Sequence, residues 1–108
     1  MELQYDRPGH VAGVVNGKEF EGFCLPVPPS NLIFLTTAKG FIGCGFFDMK
    51  TFDKLGIPAV RITGVSTLEE LFAGKISEVT EPAEKSGVRI GMTGYDALML
   101  FCPAKSHL

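Results

Sequence analysis

Two neighbouring stretches, Leu32-Ile33-Phe34-Leu35-Thr36-Thr37 and Phe41-Ile42-Gly43-Cys44-Gly45-Phe46-Phe47, are apolar at almost every position. A strand with one wet face alternates apolar with polar residues, because successive side chains point to opposite sides. These two do not alternate, so both of their faces need cover. Lys39-Gly40 between them predicts a hairpin. Helices can cover one side of that ribbon, and a second subunit is the expected cover for the other. At 108 residues the chain is expected to form one domain, residues 1–108, able to bury a core without disulfides or metal. Its hydrophobic fraction of 45% is high for that size, which again points to association.

Upstream, Asn16-Gly17 separates Val11-Ala12-Gly13-Val14-Val15 from Lys18-Glu19-Phe20-Glu21-Gly22-Phe23. A two-residue type I′ turn needs positive φ at both positions, and Asn-Gly supplies it. The implied register sets Val15 against Lys18, Gly13 against Phe20 and Val11 against Gly22. One face then carries Val11, Val15 and Phe20, and the other His10, Glu19 and Glu21. Pro26-Val27-Pro28-Pro29-Ser30-Asn31 is expected to be a loop, because proline removes ladder donors.

The second half reads as short helices alternating with short extended pieces. Asp48 caps a helix over Met49 to Leu55, which Gly56 ends. Pro58 to Thr63 reads as a strand. Ser66-Thr67-Leu68-Glu69 has the pattern of a capping box for a helix closed by Gly74. A further piece starts at Thr80-Glu81-Pro82 and ends at Gly87, followed by an extended Val88-Arg89-Ile90. The last helix begins at Thr93 or Gly94, runs to about Phe101 and stops before Pro103. The fold class that follows is α/β (α+β): N-terminal antiparallel hairpins, then short helices alternating with short strands, with helices packed on one sheet face.

The charge pattern narrows the partners. A net charge of −2, with Lys18, Lys39, Lys50, Lys54, Arg61, Lys75, Lys85 and Arg89 dispersed, gives no basic patch for nucleic acid or an anionic membrane. No apolar run reaches the roughly 20 residues of a membrane helix. Met1-Glu2-Leu3-Gln4-Tyr5-Asp6 lacks the pattern of a signal peptide, so the cytoplasm is the expected location. Cys24, Cys44 and Cys102 show no C-x-x-C spacing and read as reduced thiols there. His10 and His107 stand far apart, so no metal site and no cofactor are expected.

Four blocks then stand in a fixed order: Lys39 to Asp48; Lys54-Leu55-Gly56; Gly64-Val65-Ser66-Thr67-Leu68-Glu69-Glu70-Leu71; and Gly91-Met92-Thr93-Gly94-Tyr95-Asp96-Ala97-Leu98. In order and spacing they resemble the YunC-like domains, small bacterial and archaeal proteins classed as a domain of unknown function. The resemblance runs from roughly Asn16 to Leu100. It implies a compact α/β domain whose N-terminal β region, about residues 10–47, serves homo-oligomerisation, as a tetramer. The α/β part would span about 48–101, and residues 102–108 would be a variable tail. The resemblance implies no catalytic residues.

Candidate chemistry is sparse. By strand alternation Phe41, Gly43, Gly45 and Phe47 share one face, and Ile42, Cys44 and Phe46 the other. The glycines would clear room for an aromatic such as Phe34, opposite Gly45, while Cys44 would sit opposite Leu35 in packed hydrocarbon. An apolar setting makes a thiol inert, and a nucleophile needs a base, for which His10 is the one histidine worth naming. Packing is the stronger reading of Cys44. The glycines of Gly40-x-x-Gly43-x-Gly45 lie inside a strand, so they form no nucleotide loop. Gly64-Val65-Ser66-Thr67 and Gly91-Met92-Thr93-Gly94 open helices, where free N–H groups favour a small anionic molecule. That makes Gly64, Ser66, Thr93 and Gly94 the candidate anion-binding residues, with ordinary capping as the plainer alternative. Arg61 interrupts an apolar strand and either faces solvent or pairs with Asp48, Asp53 or Glu69 at a subunit contact. Glu69 and Glu70 are neighbours on a helix and point about 100° apart, so they form no catalytic pair. Two functions follow: a homo-oligomeric module without established catalytic activity, or a small-molecule enzyme with a subunit-interface site at Cys44 or Arg61.

Overall fold

The structure is a computed structural model describing residues 2–104. Seven strands form one sheet in chain order: β1 (Glu2–Arg7), β2 (His10–Val15), β3 (Lys18–Val27), β4 (Ser30–Thr37), β5 (Phe41–Gly43), β6 (Ala59–Arg61) and β7 (Glu78–Val79). All neighbours are antiparallel except β5 and β6. Those two run parallel because the helix α1 (Met49–Lys54) carries the chain back between them. Three more helices follow: α2 (Leu68–Ala73), α3 (Glu81–Lys85) and α4 (Gly94–Phe101). The mixed α/β class expected from the sequence is the fold observed.

The Asn16-Gly17 hairpin forms with the expected register, Val15 against Lys18, Gly13 against Phe20 and Val11 against Gly22. Both turn residues take positive φ, 52° and 77°. Val11, Val15 and Phe20 are buried under α2 and α4, while Glu19 and Glu21 are exposed on the other face. The core on the helix side continues through Leu35, Ile42 and Val60, each opposite the next in the ladder.

The opposite face holds a second apolar layer. His10, Phe23, Phe34, Phe41 and Phe52 follow one another with ring centroids 4.9, 5.0, 5.7 and 4.7 Å apart. Phe52 belongs to α1, which therefore covers the β5–β6 end of this face. Phe23 and Phe34 remain half-buried beyond it. The ribbon of β4 and β5 is apolar on both sides because it has packing on both sides.

Several boundaries differ from expectation. The Pro26–Asn31 segment is no loop, since β3 and β4 stay paired to Val27 and Ser30, around a cis Pro28–Pro29 bond. Cys24 N donates to Gly9 O, so the backbone of Pro26 points to the same side, past the end of β2. No neighbour there needs its missing N–H. The turn between β4 and β5 is centred on Ala38-Lys39, one residue earlier than expected, because Thr37 N donates to Gly40 O while Thr37 Oγ1 accepts from the N–H groups of Lys39 and Gly40. That moves the register by two: Phe34 faces Gly43 and Leu35 faces Ile42, and Cys44 lies beside Ile33. The α2 cap is Thr67, whose side chain accepts from Glu70 N, so the cap is one residue later than Ser66, and Glu70 reaches back to Ser66 N where a capping box would need Thr67 N. Val88-Arg89-Ile90 joins no strand. β1 and β7 carry too few core residues to announce themselves. Cys102 is buried, with its carbonyl accepting from Asn16 Nδ2 at 2.8 Å. Residues 105–108 of the expected tail lie outside the described residues.

Candidate functional site

The turn after β5 gathers most of the residues singled out above. Phe47 N donates to Cys44 O, turning the chain sharply toward α1, and Phe46 is left 55% exposed at the tip. It does not share a packed face with Ile42 and Cys44, because the strand ends at Gly43. Gly43 supplies the clearance that the sequence pattern assigned to the glycines. A Cβ there would stand 2.6 Å from both Phe41 and Phe47 rings.

A crevice of about 450 Å³ opens beside this turn. Ser30 and Asn31 form one wall, Cys44, Gly45 and Phe46 the floor and lip, and Gly64, Val65 and Ser66 the other wall. Asn31 Nδ2 donates to Ser66 O at 2.9 Å and ties the two walls together. Gly64 takes φ 77° with open space where a Cβ would be, so the wall turns back on itself there. A second hollow, about 390 Å³, lies across Gly45 and Phe46 and is bordered by Asp48, Lys50, Arg61 and Glu78. A larger hollow, about 790 Å³, lies elsewhere, among Lys18, Glu19, Glu21, Thr36 and Phe101. It contains none of the candidate residues.

The local chemistry is mostly self-satisfied. Cys44 is 2% exposed, and its Sγ accepts from Ile33 N at 3.4 Å. It borders the crevice without opening its thiol to it. His10 lies on the aromatic face and Cys44 on the helix face, so among the described residues no imidazole can act as its base. Arg61 does not pair with Asp48, Asp53 or Glu69. Its Nε and Nη2 both donate to Gly45 O, at 3.2 and 2.9 Å, and Nη1 bonds Glu78. Arg61 thereby braces the Cys44–Phe46 turn against β7, one of the two strands, with β1, that sequence reasoning missed.

The two helix openings are also filled from within. Ser66 N and Oγ donate to Glu70 Oε1 at 2.9 and 3.1 Å. Hydrogen bonds from the Ser66 backbone and side chain hold the Glu70 carboxyl below the usual carboxylate range. Thr93 N donates to Asp96 Oδ2 at 3.0 Å in a full capping box, and Gly94 N donates to Gly74 O at 3.1 Å. Thr93 and Gly94 are not part of the crevice. Burial pushes the Cys24 thiol up, helped by the Glu69 charge, and burial does the same to Cys102.

A chain-ordered sheet with one parallel crossover, short capped helices and a crevice at the β5 turn define a small mixed α/β domain with a structural neighbour of the same build. The crystal structure of the protein of unknown function TA1206 from Thermoplasma acidophilum matches with a TM-score of 0.78 and 28% identity, covering 91% of this chain and 99% of that one. The uncharacterized protein YunC of Bacillus subtilis (strain 168) is 32% identical over 90 residues, which is 80% of this chain and 89% of YunC. The family described as domain of unknown function DUF1805 matches residues 43–101. This chain belongs to that family. The matched segment starts at Gly43 and so includes Cys44, Arg61, Gly64, Ser66, Thr93 and Gly94, while β1 to β4 lie before it.

Proposed function

We propose that the chain is a homo-oligomeric module of the cytoplasm, a tetramer built through the aromatic face of its N-terminal strands. The observation that carries this reading is the uncovered part of that face. Phe23 and Phe34 are half-buried, and Leu25 and Val27, further along the same side of β3, are exposed. α1 covers only the β5–β6 end. A contiguous apolar patch of this kind marks an association surface more often than a solvated one. Light scattering after size-exclusion chromatography at micromolar protein tests it. The expected mass is a multiple of the chain mass, reduced by the double substitution Leu25→Glu with Val27→Glu. A monodisperse monomer for the unaltered protein refutes the reading.

A second reading, a small-molecule enzyme at the Cys44 or Arg61 site, is favoured by one observation, the crevice itself. The separation of His10 from Cys44 and the commitment of Arg61 to Gly45 and Glu78 weigh against catalysis. Binding of a small anionic ligand in the crevice is the form of this reading that the geometry supports better. Thermal-shift measurements with phosphate, sulfate and citrate test it. A shift abolished by Ser66→Ala, in the crevice wall, supports it, and an unchanged melting temperature with all three removes it. Iodoacetamide that labels native Cys44 as fast as an exposed thiol would instead revive the nucleophile.

A further inference from the structure

His10 is the buried titratable group that neither reading uses. Its ring, 7% exposed, lies at the end of the aromatic row, tilted against Phe23 with ring centroids 4.9 Å apart. Nδ1 stands 2.5 Å from Asp6 Oδ1 on β1, and Nε2 stands 2.8 Å from Glu21 Oε2 on β3. An ionised carboxylate can only accept. Both ring nitrogens must therefore donate, which requires an imidazolium. The two carboxylates bind opposite edges of the ring, so the three groups do not converge on a common point for a metal ion. Among the described residues the other charge that acts on the ring is Arg7, which bonds Asp6 at 3.2 Å. β2 carries no charged residue besides His10 itself.

The position on the edge of the sheet gives this cluster its meaning. β1 pairs with β2 alone. Among the described residues it adds no side chain to the buried core, and Leu3 and Tyr5 are exposed. Its register slips between Gln4 and Arg7, where a bulge brings Asp6 beside His10. Apart from ladder hydrogen bonds, Asp6–His10–Glu21 is the side-chain tie among the described residues that joins β1, across β2, to β3.

We propose that Asp6, His10 and Glu21 form a protonation-controlled latch that fastens the edge strand β1 to the sheet, closed while the imidazole carries two protons and open once it loses one. A neutral ring must set one lone pair against a carboxylate oxygen, so one of the two contacts breaks. The hydrogen bond from Asp6, followed by that from Glu21, raises the His10 pKa above 6.5, with partial desolvation opposing them. A raised folded-state value means that the latch contributes its full stability below pH 6.5 and loses it as pH climbs through the raised value. Asp6 has the opposite sign: its pKa is lowered from 3.8, chiefly by the His10 hydrogen bond. Its contribution is present above 3.8 and disappears as pH falls through the lowered value. The latch thus holds in a window bounded by acid on one side and by His10 deprotonation on the other.

The test uses the full chain. NMR follows the His10 ring, assigned by its absence in His10→Gln, together with amide exchange across β1 at each pH. The expected result is a His10 titration above 6.5, with β1 protection lost in step with it beyond the intrinsic base-catalysed rise. Protection in β2 and β3 should persist. His10→Gln should remove the step, and Asp6→Asn should move the His10 titration down. A ring titrating at or below the ordinary imidazole value overturns the proposal. So does β1 protection that stays constant through the titration.

Discussion

Replacing Gly43 with alanine isolates the packing that makes the β5 turn. The added Cβ would stand 2.6 Å from Phe41 Cε2, 2.6 Å from Phe47 Cδ2 and 3.0 Å from Phe47 Cγ. Neither ring can step aside freely. Phe41 is stacked between Phe34 and Phe52, and Phe47 meets Phe41 edge-on at 4.8 Å. Contact at Cγ, the root of the ring, means that Phe47 must move its backbone as well. Overpacking of this kind costs about 1–3 kcal/mol. Gly43 does not have positive φ, so alanine also gains about 0.4–1 kcal/mol by restricting the unfolded chain. The net destabilisation is about 1–2 kcal/mol, a fall in Tm of roughly 5–15 °C for a domain of this size. Gly45→Ala is the internal control. Its Cβ would meet Thr63 Cγ2 at 3.6 Å, an ordinary contact, so the unfolded-state gain dominates and Tm should hold or rise slightly. Calorimetry on both variants decides the matter. Equal Tm values for Gly43→Ala and Gly45→Ala would refute the claim that aromatic clearance fixes Gly43.

Gly94→Ala should cost about 3 kcal/mol in urea unfolding, the upper end for overpacking, because its Cβ would press to 2.1 Å from the Leu71 carbonyl oxygen where α4 crosses α2. Thr67→Ala should cost about 1 kcal/mol and Ser66→Ala clearly less, since Thr67 is the residue that accepts from Glu70 N. The reverse order would put the cap back at Ser66. Arg61→Lys should lose about 1 kcal/mol even though its charge near Glu78 remains, because an ammonium cannot reproduce the paired donation to Gly45 O. Glu78→Gln should lose less, about 0.5 kcal/mol and salt-dependent, as expected for a half-exposed pair.

The helices were legible because their ends are local chemistry. Asp48 caps the helix it was expected to cap, Thr80 and Thr93 cap the helices expected to begin at those points, and Gly56 and Gly87 stop theirs with positive φ. The Asn16-Gly17 hairpin was legible for the same reason. Strand register failed where it depends on contacts outside the segment. Lys39-Gly40 looks like the centre of the turn until Thr37 bonds Gly40 and moves that centre to Ala38-Lys39. Pro26 looks like a strand breaker until the end of β2 is located. β1 could have been suspected from Leu3 and Tyr5 alternating with Gln4 and Asp6 before Pro8-Gly9. β7 has two residues and no such signal.

The candidate site shows the same division between local and distant information. Cys44 and Gly64 were each visible in the sequence, but their meeting in one crevice was not. It depends on α1 carrying the chain back so that β6 lies parallel to β5. Only then does Arg61 come opposite Gly43 and reach the Gly45 carbonyl, and only then does the β6–α2 turn come alongside Cys44. The same register separates Cys44 from His10. Even residues of β2 and β4 face the aromatic side, as do odd residues of β3 and β5, and Cys44 falls on the other parity. A thiol and an imidazole that a sequence would gladly pair are thus kept on opposite sides of a continuous sheet. The histidine is left with two carboxylates as partners, and the fold directs its chemistry to proton-linked stability and away from nucleophile activation.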